Sequence, residues 1–281
     1  MAISSPLTLQ STVTLNNGVE IPVLGLGVFR APADPITVDA ILAAFAVGYR
    51  HIDTAMIYRN EAQVGRAIRE SGGQRDEIFL TTKLWNSDHG YDATLRAIDG
   101  SLERLGVEQV DLYLVHYPVF GPRLETWKAM ERILESGRAR AIGVSNYMPR
   151  HLNELLANCN VPPAVNQLEL SPYIFGYRKE IVELCRAKNI VLEAYSPLTK
   201  ARKLDDPPLI EIANQYGKTT AQILIRWALQ EGFVVLPKST NPGRIQQNSE
   251  VFDFEIRPED MVKLAALNED LVTGWDPTDA P

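Results

Sequence analysis

Eight short apolar runs recur along this chain, separated by longer segments of helical period, and no other feature restricts its possible folds as much. The runs are VLGLG from Val23, HID from His51, IFLTTK from Ile78, VDLYLVH from Val110, RAIGVS from Arg140, AVNQLEL from Ala164, IVLEAYS from Ile190 and FVVLPKS from Phe233. Strands this continuously apolar fit a parallel sheet covered on both faces, because neither face meets water. Between the runs, Leu95, Ile98, Leu102 and Leu105 share one helical face and stop at Gly106, a residue suited to the left-handed conformation that ends a helix. Val64, Ala67 and Ile68 repeat the pattern behind Asn60, read as an N-cap. A last helix opens on Pro258-Glu259-Asp260 and turns Met261, Leu264 and Leu267 inward. Eight strand-helix units in about 215 residues predict a (β/α)8 barrel, one domain over residues 1–281. Ahead of it, TVTLNNGVEIP at 12–22 alternates about Asn17-Gly18, a hairpin signature in which both turn positions tolerate positive φ.

An open doubly wound sheet is the competing architecture, and GLGVFR at Gly25 begins like a dinucleotide fingerprint. Arg30 stands where its last glycine belongs, and no acid follows at the required distance. The barrel is preferred. At 45% hydrophobic and 22% charged the chain can bury a large core. Its net charge of -7 supplies no broad basic field for nucleic acid or an anionic membrane. The N-terminus lacks the basic start and apolar core of a secretory signal, and no run is long enough to span a bilayer, so a soluble cytoplasmic protein is expected. Cys159 and Cys185 match no disulfide framework or metal-ligand spacing and read as small hydrophobes on amphipathic helices, and no metal site is expected.

In a parallel barrel the C-terminal ends of all strands meet on one face. Asp53 ends the second run, Lys83 the third and His116 the fourth, while Tyr58 follows Asp53 in GYRHIDTAMIYRNE (48–61). Singly, each has an ordinary reading: a turn former, a surface cation, a core histidine, an edge aromatic. Together they describe a proton donor. A lysine cation beside a phenol favours the phenolate and lowers a pKa of about 10. An aspartate holds that cation in place, and a histidine orients the atom to be protonated. Such a site lacks a nucleophile, so its electrophile must be reduced by a cofactor. LPKSTNPGRIQQN then leads from the eighth run into a helix with Asn241 as cap and Pro242 at its first position. Lys238, Ser239 and Arg244 there describe an anion site of the kind found after strands 7 and 8 of barrels.

GYRHIDTAMIYRNE, TTKLWN, LVHYP, GVSNY and LPKSTNPGR, five separated motifs in order, together resemble the aldo-keto reductases over nearly the whole chain. The resemblance implies NADPH-dependent reduction of a small-molecule carbonyl, with Tyr58 as proton donor, Lys83 and Asp53 as its supporting pair and His116 as orienting group. It further implies that Ser145, Asn146 and Gln167 hold the carboxamide and Tyr195 stacks on the nicotinamide ring, with Ser196, Leu198 and Thr240 also against the cofactor. Lys238, Ser239 and Arg244 would grip the 2′-phosphate, and Gln247 and Asn248 would meet the adenine.

Three positions depart from the pattern: Val28 where threonine is frequent, Thr199 where glycine is common after AYSPL, and Gln247 in place of glutamate. Histidine rather than glutamate at 116 argues for carbonyl over double-bond reduction. Phe29, Trp85, Phe120 and Trp275 are candidates for lining the substrate pocket, with core or loop packing as the alternative. Short loops predict an open pocket, similar to the microbial diketo-gluconate reductase branch, for small aldehydes, α-keto esters or dicarbonyls; the resemblance leans toward a monomer. Two other functions fit parts of the pattern: a barrel isomerase or lyase gripping a sugar phosphate, and a nicotinamide-binding protein without turnover.

Overall fold

The computed structural model describes residues 7–32 and 34–281. Strands β1 (Thr12–Thr14) and β2 (Glu20–Pro22) form the N-terminal antiparallel hairpin. Its turn differs from the expected one. Gly18 alone takes positive φ, and Gly18 N–H donates to Leu15 O while Leu15 N–H donates to Val19 O, the arrangement of a type I turn completed by a glycine bulge.

Eight parallel strands follow in sequence order: β3 (Leu26–Gly27), β4 (His51–Asp53), β5 (Phe79–Leu84), β6 (Val110–Val115), β7 (Ala139–Ser145), β8 (Val165–Glu169), β9 (Val191–Tyr195) and β10 (Val234–Leu236). Parallel bridges Leu24 to Val235 and Gly27 to Lys238 join the first of these to the last, with Gly25 N–H on Val235 O at 2.9 Å and Gly27 N–H on Pro237 O at 3.1 Å. The sheet is therefore a (β/α)8 barrel, as the eight runs predict. Among the described residues ten α-helices surround or follow it: α1 (Ile36–Val47), α2 (Glu61–Glu70), α3 (Tyr91–Leu105), α4 (Arg123–Glu135), α5 (Pro149–Leu156), α6 (Phe175–Ala187), α7 (Pro207–Tyr216), α8 (Thr220–Gln230), α9 (Pro242–Ser249) and α10 (Pro258–Ala265). None of the described helices is long and apolar enough to cross a membrane.

The barrel interior changes character along its axis. At the N-terminal end Phe79, Leu112, Leu114, Ala141, Val165 and Val234 form an apolar cluster that the hairpin closes with Leu15 and Ile21. Side chains two residues further along a strand face the same way, and here they become polar: His51 and Asp53 on β4, Thr81 and Lys83 on β5, Gln167 and Glu169 on β8, Glu193 on β9. Gly25 belongs to this packing. A Cβ there would lie 2.8 Å from the His51 ring, so the glycine makes room for a barrel side chain and serves no phosphate loop.

Two local expectations are corrected. Asn60 stands at the N-cap of α2, but its side chain makes no cap bond; it donates to Val28 O at 2.9 Å and accepts from Thr54 Oγ1 at 2.8 Å. Cys185 is buried in α6, whereas Cys159 lies beyond the end of α5 and is half-buried.

Candidate active site

Asp53, Lys83 and His116 arrive at the C-terminal end of the barrel from β4, β5 and the residue after β6, and all three are buried. Lys83 has three ammonium hydrogens and three acceptors: Asp53 Oδ1 at 2.6 Å, Asp53 Oδ2 at 2.7 Å and Thr54 O at 2.9 Å. A fully buried cation is tolerable only with this degree of pairing. Tyr58 ends a single 3-10 turn, Met56–Tyr58, which the Asn60 bonds to Val28 and Thr54 tie to the sheet. Its hydroxyl lies 3.5 Å from His116 Nε2, and Lys83 Nζ sits 5.1 Å from its ring centroid.

This geometry overturns one expectation. The Tyr58 pKa is pushed well above 10, by burial first and by the Asp53 charge second. The three Lys83 hydrogens go to the two Asp53 oxygens and to Thr54 O, so none reaches the phenol oxygen. Burial, then the Lys83 charge, holds the His116 imidazole well below its usual range, and hence neutral. A neutral phenol and a neutral imidazole facing one point can both donate hydrogen bonds to an oxygen placed between them.

A second group of polar side chains borders the first. Asn146, left-handed at φ 64°, donates to His116 O and to Ser145 Oγ, both at 3.0 Å, and accepts from Tyr195 OH at 2.8 Å. Ser145 Oγ donates to Gln167 O at 2.9 Å. Gln167 Nε2 donates to Asp53 Oδ2 at 2.9 Å and to Glu193 Oε2 at 3.1 Å. Ser145, Asn146, Gln167 and Tyr195 thus form one hydrogen-bonded set against the Lys83 pair. Gln167 Oε1 has no hydrogen-bond partner among the described residues, which leaves an acceptor for a carboxamide. Ser196 and Leu198 follow Tyr195 in a turn where Ser196, Thr199, Lys200 and Ala201 all carry positive φ.

The eighth strand brings a third group to the same end, since Gly27 pairs with Asp53 on one side and bridges to Lys238 on the other. Asn241 caps α9 by accepting from Arg244 N at 3.0 Å, as expected. Among the described residues neither Lys238 nor Arg244 forms an ion pair, and burial followed by the Arg244 charge lowers the Lys238 pKa. Two unpaired cations at a helix N-terminus, with Ser239 and Thr240 between them in the chain, suit a phosphate. Gln247 and Asn248 lie on α9, half-buried and buried.

The aromatic candidates divide. Phe29 packs on Tyr58, ring centroids 4.9 Å apart, and Trp85 and Trp275 lie 5.5 Å and 5.4 Å from His116 and 5.4 Å from each other. Phe120 is 70% exposed and touches none of them, because it stands out on the loop beyond β6. The mouth is less open than short loops suggest. Buried Glu169 accepts from Thr273 N, Thr273 Oγ1 and Gly274 N, and Arg178 pairs with Asp276 at 3.2 Å, so the last residues cross the mouth and set Trp275 against His116. Sequence reasoning passed over Glu169, Tyr117, which packs on Trp275, and Glu193. Glu169 and Glu193 sit at inward positions of β8 and β9, and Tyr117 lies two residues beyond β6; strand parity and that proximity are the signals the sequence offers.

A family model described as "Aldo/keto reductase family" matches residues 23–269. The chain belongs to the aldo/keto reductase family. This aldo/keto reductase is 46% identical to glyoxal reductase of Bacillus subtilis, over 97% of this chain and 98% of that one. It is 48% identical to morphine 6-dehydrogenase of Pseudomonas putida, over 99% and 97%. Among solved structures, a Bombyx mori aldo-keto reductase in complex with NADP superposes with a TM-score of 0.89 at 36% identity, covering 95% of each chain.

Proposed function

We propose that this aldo/keto reductase carries out NADPH-dependent reduction of small aldehydes, α-keto esters and dicarbonyls to alcohols, with Tyr58 as proton donor. The observation that carries the reading is the Tyr58 hydroxyl held against His116 Nε2 at 3.5 Å above the buried Lys83–Asp53 pair. Ser145, Asn146 and the free Gln167 oxygen fit a carboxamide, Tyr195 a planar ring, and the unpaired Lys238 and Arg244 a 2′-phosphate. A nicotinamide held by these residues would supply the hydride that reduces the carbonyl carbon. The names of the glyoxal and morphine relatives support carbonyl chemistry on small or compact substrates.

The residues divide the remaining work. His116 and Tyr58 donate hydrogen bonds to the carbonyl oxygen and fix its direction. As negative charge develops there, Tyr58 gives up its proton. Its raised pKa is no obstacle, because an alkoxide is a stronger base than a phenolate and the transfer runs downhill. The Lys83–Asp53 pair, neutral as a unit, keeps an ammonium beside the ring to receive the phenolate that results. Trp85, Trp275 and Phe29 exclude water and supply apolar contact.

Loss of NADPH absorbance with a panel of aromatic aldehydes and dicarbonyls tests the reading. Tyr58→Phe should keep its NADPH dissociation constant and lose kcat by ~10²–10⁴-fold, the contribution of a positioned acid. Lys238→Ala with Arg244→Ala should weaken NADPH far more than NADH. Undiminished turnover in Tyr58→Phe removes that residue from the mechanism. Tight NADPH binding with no turnover of any carbonyl would favour a non-catalytic nicotinamide-binding role.

A further inference from the structure

Beneath the mouth lies a buried acid for which the reaction just outlined has no use. Glu193, in the middle of β9, is fully buried, and its Oε2 shares the Gln167 amide nitrogen with Asp53. An amide nitrogen has two hydrogens, so both are taken by carboxyl groups. That fixes the amide with its oxygen as the free end. Glu193 Oε1 is buried with no hydrogen-bond partner, 3.8 Å from His51 Nε2. An unpartnered oxygen is tolerable on a neutral carboxyl and costly on a carboxylate.

The surroundings point the same way. The charged and titratable groups facing Glu193 are His51 and Asp53 from β4 and Lys83 from β5; β8 contributes the Gln167 amide, and β10 contributes Val234 as register partner. His51 is pushed down to about 3 by burial and brings no positive charge near neutrality. Lys83 is already spent on Asp53. Burial, then the Asp53 charge, pushes the Glu193 carboxyl up to about 8.

We propose that Glu193 is a positioning residue that holds the Gln167 amide oxygen toward the cofactor and, by gaining or losing a proton, sets which oxidation state of the nicotinamide the site prefers. With Glu193 protonated, the buried set of Asp53, Lys83 and Glu193 is neutral. With Glu193 ionised it carries one net negative charge beneath Gln167. A nicotinamide ring becomes cationic when it gives up hydride, so the ionised set favours the oxidised form. The site therefore shifts from NADPH toward NADP⁺ as pH rises through the neutral to mildly alkaline range. At the mouth, burial moves the Tyr58 and Tyr195 phenols above that range and the His116 imidazole below it.

This inference rests on the nicotinamide-binding reading above, and the test separates the two. Dissociation constants of NADPH and NADP⁺ would be measured by quenching of tryptophan fluorescence from pH ~6 to ~10, a range centred on the expected titration. The 2′-phosphate is common to both ligands and cancels in their ratio. For the wild-type protein the preference for NADPH over NADP⁺ should fall about tenfold as pH passes through the transition, the size expected of one partly screened charge at short range. In Glu193→Gln, which keeps an acceptor for Gln167, the ratio should stay at its low-pH value throughout. Should that variant not fold, Glu193→Thr serves. The infrared carbonyl band of a protonated carboxyl, lost over the same pH range in the wild type without any ligand, gives a readout independent of binding. A pH-independent ratio in the wild type, or the same titration in the variant, overturns the proposal. Failure of both nicotinamides to bind overturns the functional reading instead.

Discussion

The buried ionisable side chains of this barrel divide by the direction in which folding moves their protons. Glu193 rises from 4.5 to about 8, so between those values the folded protein holds a proton that the unfolded chain has released. Stability from this residue is fully present below the unfolded pKa and is lost as pH rises toward the folded one. His51 falls from 6.5 to about 3 and His89 from 6.5 to about 4, each by burial. Their contributions have the opposite sign, present above the unfolded value and lost as pH falls toward the folded one. Urea denaturation over a pH series isolates the glutamate: Glu193→Gln should gain on the wild type from pH 4.5 to about 8, with a slope approaching ~1.4 kcal/mol per pH unit, and then run parallel to it. A difference that does not vary with pH would show that Glu193 is ionised in the folded protein. At this scale the residues ending each apolar run were legible, because strand parity in a parallel barrel places them together. The protonation of Tyr58 was not, since the sequence shows a lysine nearby without showing that its hydrogens are consumed.

Between elements, backbone approach sets the tolerances. Gly65 faces the end of α3, and a Cβ on it would sit 1.9 Å from Leu105 O. Helices α2 and α3 meet through this glycine, and Gly106 then turns the chain away at φ 68°. Gly65→Ala should cost ~1–3 kcal/mol, because backbone must move to admit the methyl group. Gly100 in α3 is the control. Its nearest obstacle is the flexible end of Arg104 at 3.1 Å, so Gly100→Ala should gain up to ~1 kcal/mol from helix propensity. Thermal unfolding of the two variants checks both signs. Helix-ending Gly106 and the Asn241 cap were readable from sequence, since both act within one turn of chain. Asn60 was misread because its side chain is taken up by Val28 O, 32 residues back in the chain, and by Thr54 Oγ1 at the start of the same loop.

Across the whole molecule, the last residues return over the mouth and complete it. Glu169 receives Thr273 and Gly274, and Arg178 receives Asp276 and Thr278. Trp275 is thereby held against Trp85 and His116. Glu169→Gln keeps the shape but weakens the charge-assisted bonds to two backbone N–H groups. It should raise KM for carbonyl substrates several-fold while leaving the NADPH dissociation constant within about twofold, because the contact it loosens carries the substrate wall. Equal loss of cofactor and substrate would show instead that Glu169 supports the barrel end as a whole.

The sequence by itself determined the barrel, its hairpin and the strand ends on which Asp53, Lys83 and His116 stand, because periodicity and strand order are local properties that the parallel topology converts into position. Only the tertiary structure decided the proton states, the free end of Gln167, the buried place of Glu193, and which aromatic residues meet. Those depend on desolvation and on partners distant in the chain: Glu193 faces His51 and Asp53 across the barrel, and Trp275 meets Trp85 only because Glu169 holds the tail in place.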